Sequence, residues 1–441
     1  MRRFMSYSFV WVIVAGAPSV AQVPPLRSRN PAGLMETNGR IDLNNAFFRD
    51  LGTNGRSCAT CHQLDDGMSI TPEHVRVRFQ ISRGADPIFR PVDGSNCDNL
   101  DVSTIAARQK AYSLLLNQGL IRVAIDVPGN AEFKVVGVEN PYGCSSFTKL
   151  SLYRRPLPAT NLRFLSTVMW DGRESLPGNT LLQNLKHQAN DATTGHAQGS
   201  PISDDLQQQI VDFELSLHTA QIVDSHAGSL SADGAKGGPG PLSLQQFFIG
   251  INDPLGGNPT GAAFNASAFD LFARWLELPS PADGNRQSIA RGERIFNTRP
   301  ISISGVAGLN DVLRLPSISG TCTTCHNTPD VGDHSVPLPV NIGINDVLRR
   351  TPDLPVFSLQ NKTTHEVVQT LDPGRALVTG KWADIGKTKG PVLRGLAGRA
   401  PYFHNGSAAT LLDVVNFYDV RFKLGLTADE KNDLVYFLSA L

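Results

Sequence analysis

The 441-residue sequence has no charge to spare in either sign: forty Lys and Arg offset forty Asp and Glu. Without a net field, nothing long-ranged draws it to nucleic acid or to an anionic membrane, which excludes a polyanion as its main partner. Long apolar runs are missing too. Beyond the first residues no window approaches the roughly 18 apolar residues that a membrane span needs. The N-terminus reads MRRFMSYSFVWVIVAGAPSVAQ, with Arg2 and Arg3 ahead of a short apolar stretch that ends in Ser19, Val20 and Ala21. This is the layout of an export signal over residues 1–21, cut before Gln22. The expectation is an exported, periplasmic protein, touching a membrane only if that signal stays uncleaved. Methionine is scarce: the five stand at Met1, Met5, Met35, Met68 and Met169, so the second half has none. Cysteine is limited to six residues.

Four of those cysteines fall in two similar stretches, GRSCATCHQLDDG (Gly55–Gly67) and GTCTTCHNTPDVG (Gly320–Gly332). Cys58, Cys61 and His62 stand at i, i+3 and i+4, so one helical turn projects all three from one face. Two thiols can then bond the vinyl groups of a haem while the imidazole reaches its iron, and Cys322, Cys325 and His326 repeat the pattern. C-x-x-C-H is the c-type haem attachment signature, so two covalently bound haem c groups are expected. A zinc site would need a further ligand, and no second CxxC or HxxxH lies near either motif. A thioredoxin-like thiol pair expects a βαβ context that is missing. The scarcity of methionine now matters, because it excludes His/Met ligation of the second haem from its own half. The remaining pair, Cys97 and Cys144, either forms a disulfide in an oxidising compartment or stays as two thiols.

Periodicity points to a mainly α fold. In SDDLQQQIVDFELSLHTAQIV, Leu206, Ile210, Phe213 and Leu217 recur at helical spacing behind the cap Ser203. The last helix carries the capping box Thr427 to Glu430 ahead of Leu434, Phe437, Leu438 and Leu441. The Gly, Ser and Pro-rich stretch over 226–245 reads as a linker between a first domain, 22–225, and a second, 246–441. Within the first, residues about 66–160 read as an inserted lobe of mixed or β-leaning structure, with LIRVAIDVPG and FKVVGVE as candidate strands.

The stretches GPVLRGLAGRAPYFHNGSAATLLDVVNFYD (Gly390–Asp419) and MWDGRESL (Met169–Leu176), with the two CxxCH motifs, resemble the bacterial dihaem cytochrome c peroxidase and MauG family. The resemblance implies two cytochrome c-like domains, a peroxide-reacting haem on His62 and an electron-storing haem on His326. It places Trp170 between the haems; its other reading is a core tryptophan. His404, in PYFHNG, is either a ligand of the second haem or a satisfied interior histidine. Tyr418 stands where the peroxidases place a methionine ligand and where MauG has a tyrosine, though its helical spacing also suits a core aromatic. At the first haem, Arg78 replaces the histidine that blocks the resting site in the peroxidases, with His74 nearby. Asn190 replaces the family's catalytic glutamate. Cleaving a peroxide bond needs a titratable group, so the flanking His196, and after it His187, are the expected catalytic side chains. Arg399 replaces a threonine usual in members that bind calcium, which counts against calcium. The implied activity is reduction of hydrogen peroxide with electrons from a small cytochrome c or cupredoxin, or from a protein substrate, in a monomer or homodimer. The rival readings are a dihaem dioxygenase resembling rubber oxygenase and a non-catalytic electron carrier.

Overall fold

The computed structural model describes residues 32–37, 39–245, 252–255, 261, 263–279, 283–326 and 339–441. The expected export signal lies outside them. Among the described residues no helix is long and apolar enough to cross a membrane. Among the described residues helix takes 35% and strand 15%, so helix leads among the regular elements while strands hold more than the mainly α reading allowed.

The first CxxCH turn is backed by the helix Asp204–Ser216, whose cap Ser203 accepts from the Leu206 N–H as expected. That helix stops at Ser216, short of the sequence pattern. Residues Leu217–Gln221 are instead a strand, paired antiparallel with Ala32–Glu36. Leu217 is still buried, but a period-2 element with a partner 180 or so residues away has overridden the local helical rhythm. Ile210, Phe213 and Leu217 pack with Phe47 and Met68 behind the motif.

In the second half the helix Gly284–Thr298 crosses the C-terminal helix Ala428–Ser439, whose Thr427/Glu430 capping box is formed. Gly292 sits at the crossing. A Cβ there would run into the Asp433 carbonyl and lie 2.7 Å from the Phe437 Cβ. Gly292→Ala is therefore expected to force the helices apart, costing about 1–3 kcal/mol by overpacking; thermal unfolding followed by circular dichroism measures it, and an unchanged Tm would show that the crossing yields.

The stretch 226–245 is no tether. Ala227, Leu230 and Ala235 join the second core beside Phe272 and Trp275, and the Trp275 indole N–H donates to the Ala232 carbonyl at 3.0 Å. Its glycines and prolines shape a packed strap that lets an indole reach a backbone acceptor.

The lobe is likewise not confined to the first half. Both candidate strands form, as Ile121–Asp126 and Phe133–Glu139. The former pairs with Lys149–Arg154. The latter pairs with Val356–Asn361, which also pairs with Val367–Thr370, making a three-stranded antiparallel sheet from both halves. Phe133, Leu150 and Leu152 share one core with Phe357, Leu359 and Leu377. The Cys97–Cys144 disulfide forms, with Cα atoms 5.8 Å apart. Closing a loop of 47 residues is worth about 4 kcal/mol on the chain-entropy account.

Candidate functional site

The two CxxCH motifs adopt one backbone form. Cys58–Thr60 and Cys322–Thr324 are single 3₁₀ turns, and in each the histidine N–H reaches back to the first cysteine's carbonyl at 3.0 Å. Both turns are held by a threonine at the third position: Ser57 N–H donates to Thr60 Oγ1, and Thr321 N–H donates to Thr324 Oγ1, each at 3.0 Å. The four thiols stay separate. Burial pushes Cys58, Cys322 and Cys325 up to about 12, and raises Cys61 as well. A redox CxxC needs the opposite shift. Among the described residues, metal-ligating side chains gather only as Cys97, Asp98 and Cys144 and as Glu174, His187 and Asp191, so none of them completes a zinc cage at either motif.

Each turn instead opens on a cavity. The first offers about 160 Å³ to the centres of water-sized spheres and is lined by Cys58, Cys61 and His62; the second offers about 170 Å³ and is lined by Cys322, Cys325 and His326. One water needs roughly 10–15 Å³ on that measure, and close-packed cores leave few voids even that large. Burial lowers both imidazoles, His326 to about 4, so each keeps the neutral form that ligates metal. The His62 Nδ1 lies 3.0 Å from the Met68 carbonyl, an acceptor only, so Nδ1 carries the proton and Nε2 is left for the cavity. His326 Nδ1 has no partner among the described residues; the sixth residue beyond it falls outside them. Cavity, thiol pair and neutral imidazole together fit a haem c at each motif.

Trp170 lines both cavities. Its indole N–H donates to the Arg155 carbonyl at 2.7 Å, and its ring lies 5.9 Å from that of His404. On the first cavity wall His196 Nδ1 meets Asp93 Oδ2 at 2.6 Å, while Arg56 Nη1 holds Asp93 Oδ1 at 2.5 Å and the Ile88 and Pro87 carbonyls fix the rest of the guanidinium. Burial alone would push the Asp93 carboxyl up; His196 and Arg56 overcome that and hold it below its usual value. On the second wall the Tyr418 ring lies 6.3 Å from that of His326 and stacks on Phe422. His404, also on that wall, is lowered by burial to about 4, and neither ring nitrogen has a hydrogen-bond partner among the described residues.

No family model matches the sequence. Among curated proteins, the chain is 35% identical over 135 residues to cytochrome-c peroxidase IdrP2 of Denitromonas iodatirespirans, covering 28% of this chain and 36% of that one. It is 31% identical over 140 residues to cytochrome-c peroxidase IdrP1 of Pseudomonas sp. strain SCT, covering 27% and 36%. The chain thus spans about a third of the length of the curated relatives it matches. These likenesses support the resemblance to the dihaem cytochrome c peroxidase and MauG family. Among solved structures, a MauG-like protein associated with microbial copper homeostasis aligns over 94% of both chains at 15% identity with a TM-score of 0.38.

The expected site residues divide. His196, Trp170, Tyr418 and the two CxxCH triads reach a cavity wall. His187 does not: it points outward, half-exposed, with Nδ1 on Glu174 at 2.6 Å. His74 is taken by Asp66 at 2.7 Å, and Arg78 clasps Asp86 while donating to the Thr60 carbonyl of the first turn. Asn190 accepts from the Ile202 N–H. Three groups escaped sequence reasoning. Arg56 and Asp93, 37 residues apart, orient His196, and no local sequence pattern links the two. Glu214 lines the first cavity with one carboxylate oxygen unpartnered, and burial pushes it up to about 8; its setting in a polar helical run gave no sign of this.

Proposed function

We propose that this protein is a periplasmic dihaem c-type cytochrome that reduces hydrogen peroxide, taking electrons from a small redox protein or, MauG-like, from a protein substrate. The observation that carries the reading is Trp170 on the wall of both CxxCH cavities, with a positioned histidine in one of them. Bound haem iron supplies the redox chemistry, in which peroxide takes two electrons and two protons to become two waters.

The chain's own part is to place groups. His62 and His326 would each hold the iron of a bound haem through Nε2, the His62 ring being oriented by its Nδ1–H bond to the Met68 carbonyl. His196 donates Nδ1–H to Asp93, so its Nε2 is free to take a proton from one peroxide oxygen and return it to the other. Arg56 keeps Asp93 ionised and in place while this happens. With its side chain 39% exposed, His196 also meets the solvent that replaces the proton. Trp170, held by Arg155 and packed against His404, is the side chain through which electrons pass from the second cavity to the first. Tyr418, on the same cavity wall as His326, would offer a phenol oxygen to that iron; a hard oxygen donor favours the ferric state.

Low-temperature EPR of the ferric, haem-loaded protein tests the reading, before and after peroxide and again after one-electron reduction. A high-spin signal that peroxide removes is the expected result. Two low-spin haems indifferent to peroxide in both states would leave an electron carrier as the better account, and oxygen uptake with a hydrocarbon polymer would turn it to the dioxygenase.

A further inference from the structure

Five cationic side chains line the first cavity: Arg56, Arg154, Arg155, Arg173 and Lys389. Four have their bonding accounted for. Arg56 is paired with Asp93, Arg154 with Asp171 and Asp372, and Arg173 with Asp171. The Lys389 ammonium donates to the Thr167 carbonyl. Arg155 is different. It is 6% exposed, and its guanidinium meets only backbone carbonyls, those of Gln118 at 2.6 Å, Ile70 at 3.0 Å and Arg399 at 3.2 Å.

The carbonyl of Arg399 leads to a second guanidinium in the same position. Arg399 Nη1 donates to the Val392 carbonyl at 3.3 Å, while Nε and Nη2 are buried with no partner among the described residues. Two neighbouring buried cations repel each other, and burial pushes both down to about 10. The carboxylate that acts on Arg155 from a distance, Asp66, is already bonded to His74 and Thr71. A buried charge without a counter-ion costs several kcal/mol. A fold that keeps two such charges side by side, with Arg155 on the wall of the first cavity, is suited to an anion that enters it.

We infer that Arg155 and Arg399 form the seat for the propionate carboxylates of the haem attached at Cys58 and Cys61. Thioether bonds use the vinyl side of the macrocycle, so both propionates would leave from the opposite side, and Arg155 and Arg399 would hold them there. Arg is suited to this, since its planar fork matches a carboxylate with two parallel bonds. The seat touches the electron route as well, because the Arg155 carbonyl holds the Trp170 indole N–H. One residue thereby positions both the edge of the first haem and the side chain next to it.

This inference rests on the haem c reading, so haem content is measured first, by pyridine haemochrome and intact mass. An EPR-monitored redox titration of the holoprotein then follows each haem. Removing a positive charge beside the propionates favours the ferric state, so Arg399→Met is expected to shift the first haem's oxidised-to-reduced ratio at least tenfold, which is 59 mV lower for one electron. Arg399→Lys should recover most of the shift. If the methionine variant does not mature, Arg155→Lys and the propionate bending bands of the wild-type resonance Raman spectrum, which sharpen and shift when carboxylates are held, give the same reading. A potential unchanged within twofold in that ratio, or a shift confined to the second haem, overturns the assignment. Wild-type protein without haem at Cys58 and Cys61 would overturn the haem reading and this inference together, whereas haem in place with an unmoved potential overturns only the arginine seat.

Discussion

Replacing His196 by alanine is expected to lower kcat/KM for hydrogen peroxide by about 10²–10⁴-fold, the range for losing a positioned acid–base group. The side chain is separable from the fold. The contacts that anchor this position run through its backbone, whose carbonyl accepts from Asn54 and from Arg56, and Asp93 keeps its pair with Arg56 when the imidazole is gone. Haem content and the ferric absorption spectrum should therefore match wild type, which isolates the proton-transfer step. His187→Ala, on the outer face of the same helix, is the internal control and should leave turnover within about threefold, less than 1 kcal/mol. Peroxide consumption with a reduced small cytochrome as donor measures both. A His196 variant as active as its His187 counterpart would remove His196 from the chemistry and turn attention to Glu214.

The second large effect concerns stability. Arg154 is 1% exposed at the end of the strand Lys149–Arg154, and its guanidinium spans two carboxylates: Asp372 through Nε and Nη2 at 2.7 and 2.9 Å, and Asp171 through Nη1 at 2.5 Å. These belong to the lobe, to the second half and to the loop after Trp170. Arg154→Met leaves two buried carboxylates facing each other and should cost about 3–5 kcal/mol, as for a broken buried pair. Lys236→Met, at a pair whose members are both more than half exposed, should cost less than about 1 kcal/mol. Denaturant unfolding followed by tryptophan emission compares them; equal midpoints for the two variants would show that the network contributes nothing special.

The same network sets an acid limit. Burial would raise the Asp171 carboxyl, yet Arg154 and then Arg173 bring it down to about 2, below its usual 3.8. A folded-state value below the unfolded one means that the stabilisation, on the order of 2 kcal/mol, is present above about pH 4 and is lost as pH falls toward 2. Arg154→Met should flatten that limb of the stability profile.

What could be read from the sequence was what depends on near neighbours along the chain. The CxxCH turns follow from spacing alone, because three side chains within five residues must share a face. The Thr427/Glu430 box is local in the same sense, and Phe133–Glu139 was legible as a strand from its composition. Its partner was not, since Val356–Asn361 lies more than 200 residues on and pairing depends on which edges meet. Leu217 shows the same limit in reverse: its helical register was correct and its element was not, because Ala32–Glu36 offers it a ladder. The 226–245 stretch has the composition of a tether, yet Leu230 and Ala235 are core residues under Trp275. At the site, a histidine between two candidates could be chosen only by which side of one helix end faces the cavity. His196 follows that end and turns in to Asp93, whereas His187 turns out to Glu174.

The sheet shared by the two halves also orders the birth of the molecule. The strand Phe133–Glu139 has no partner for its edge until residue 361, more than 200 residues on, has joined it. The first CxxCH turn, closed by contacts within a few residues, can be complete during that wait. The lobe beside it cannot, so the wall carrying Ile121, Arg154 and Trp170 stays unsealed while the second half arrives. A haem attached at Cys58 before that sheet closes would meet an open wall, and closure of the shared sheet would then shut it in.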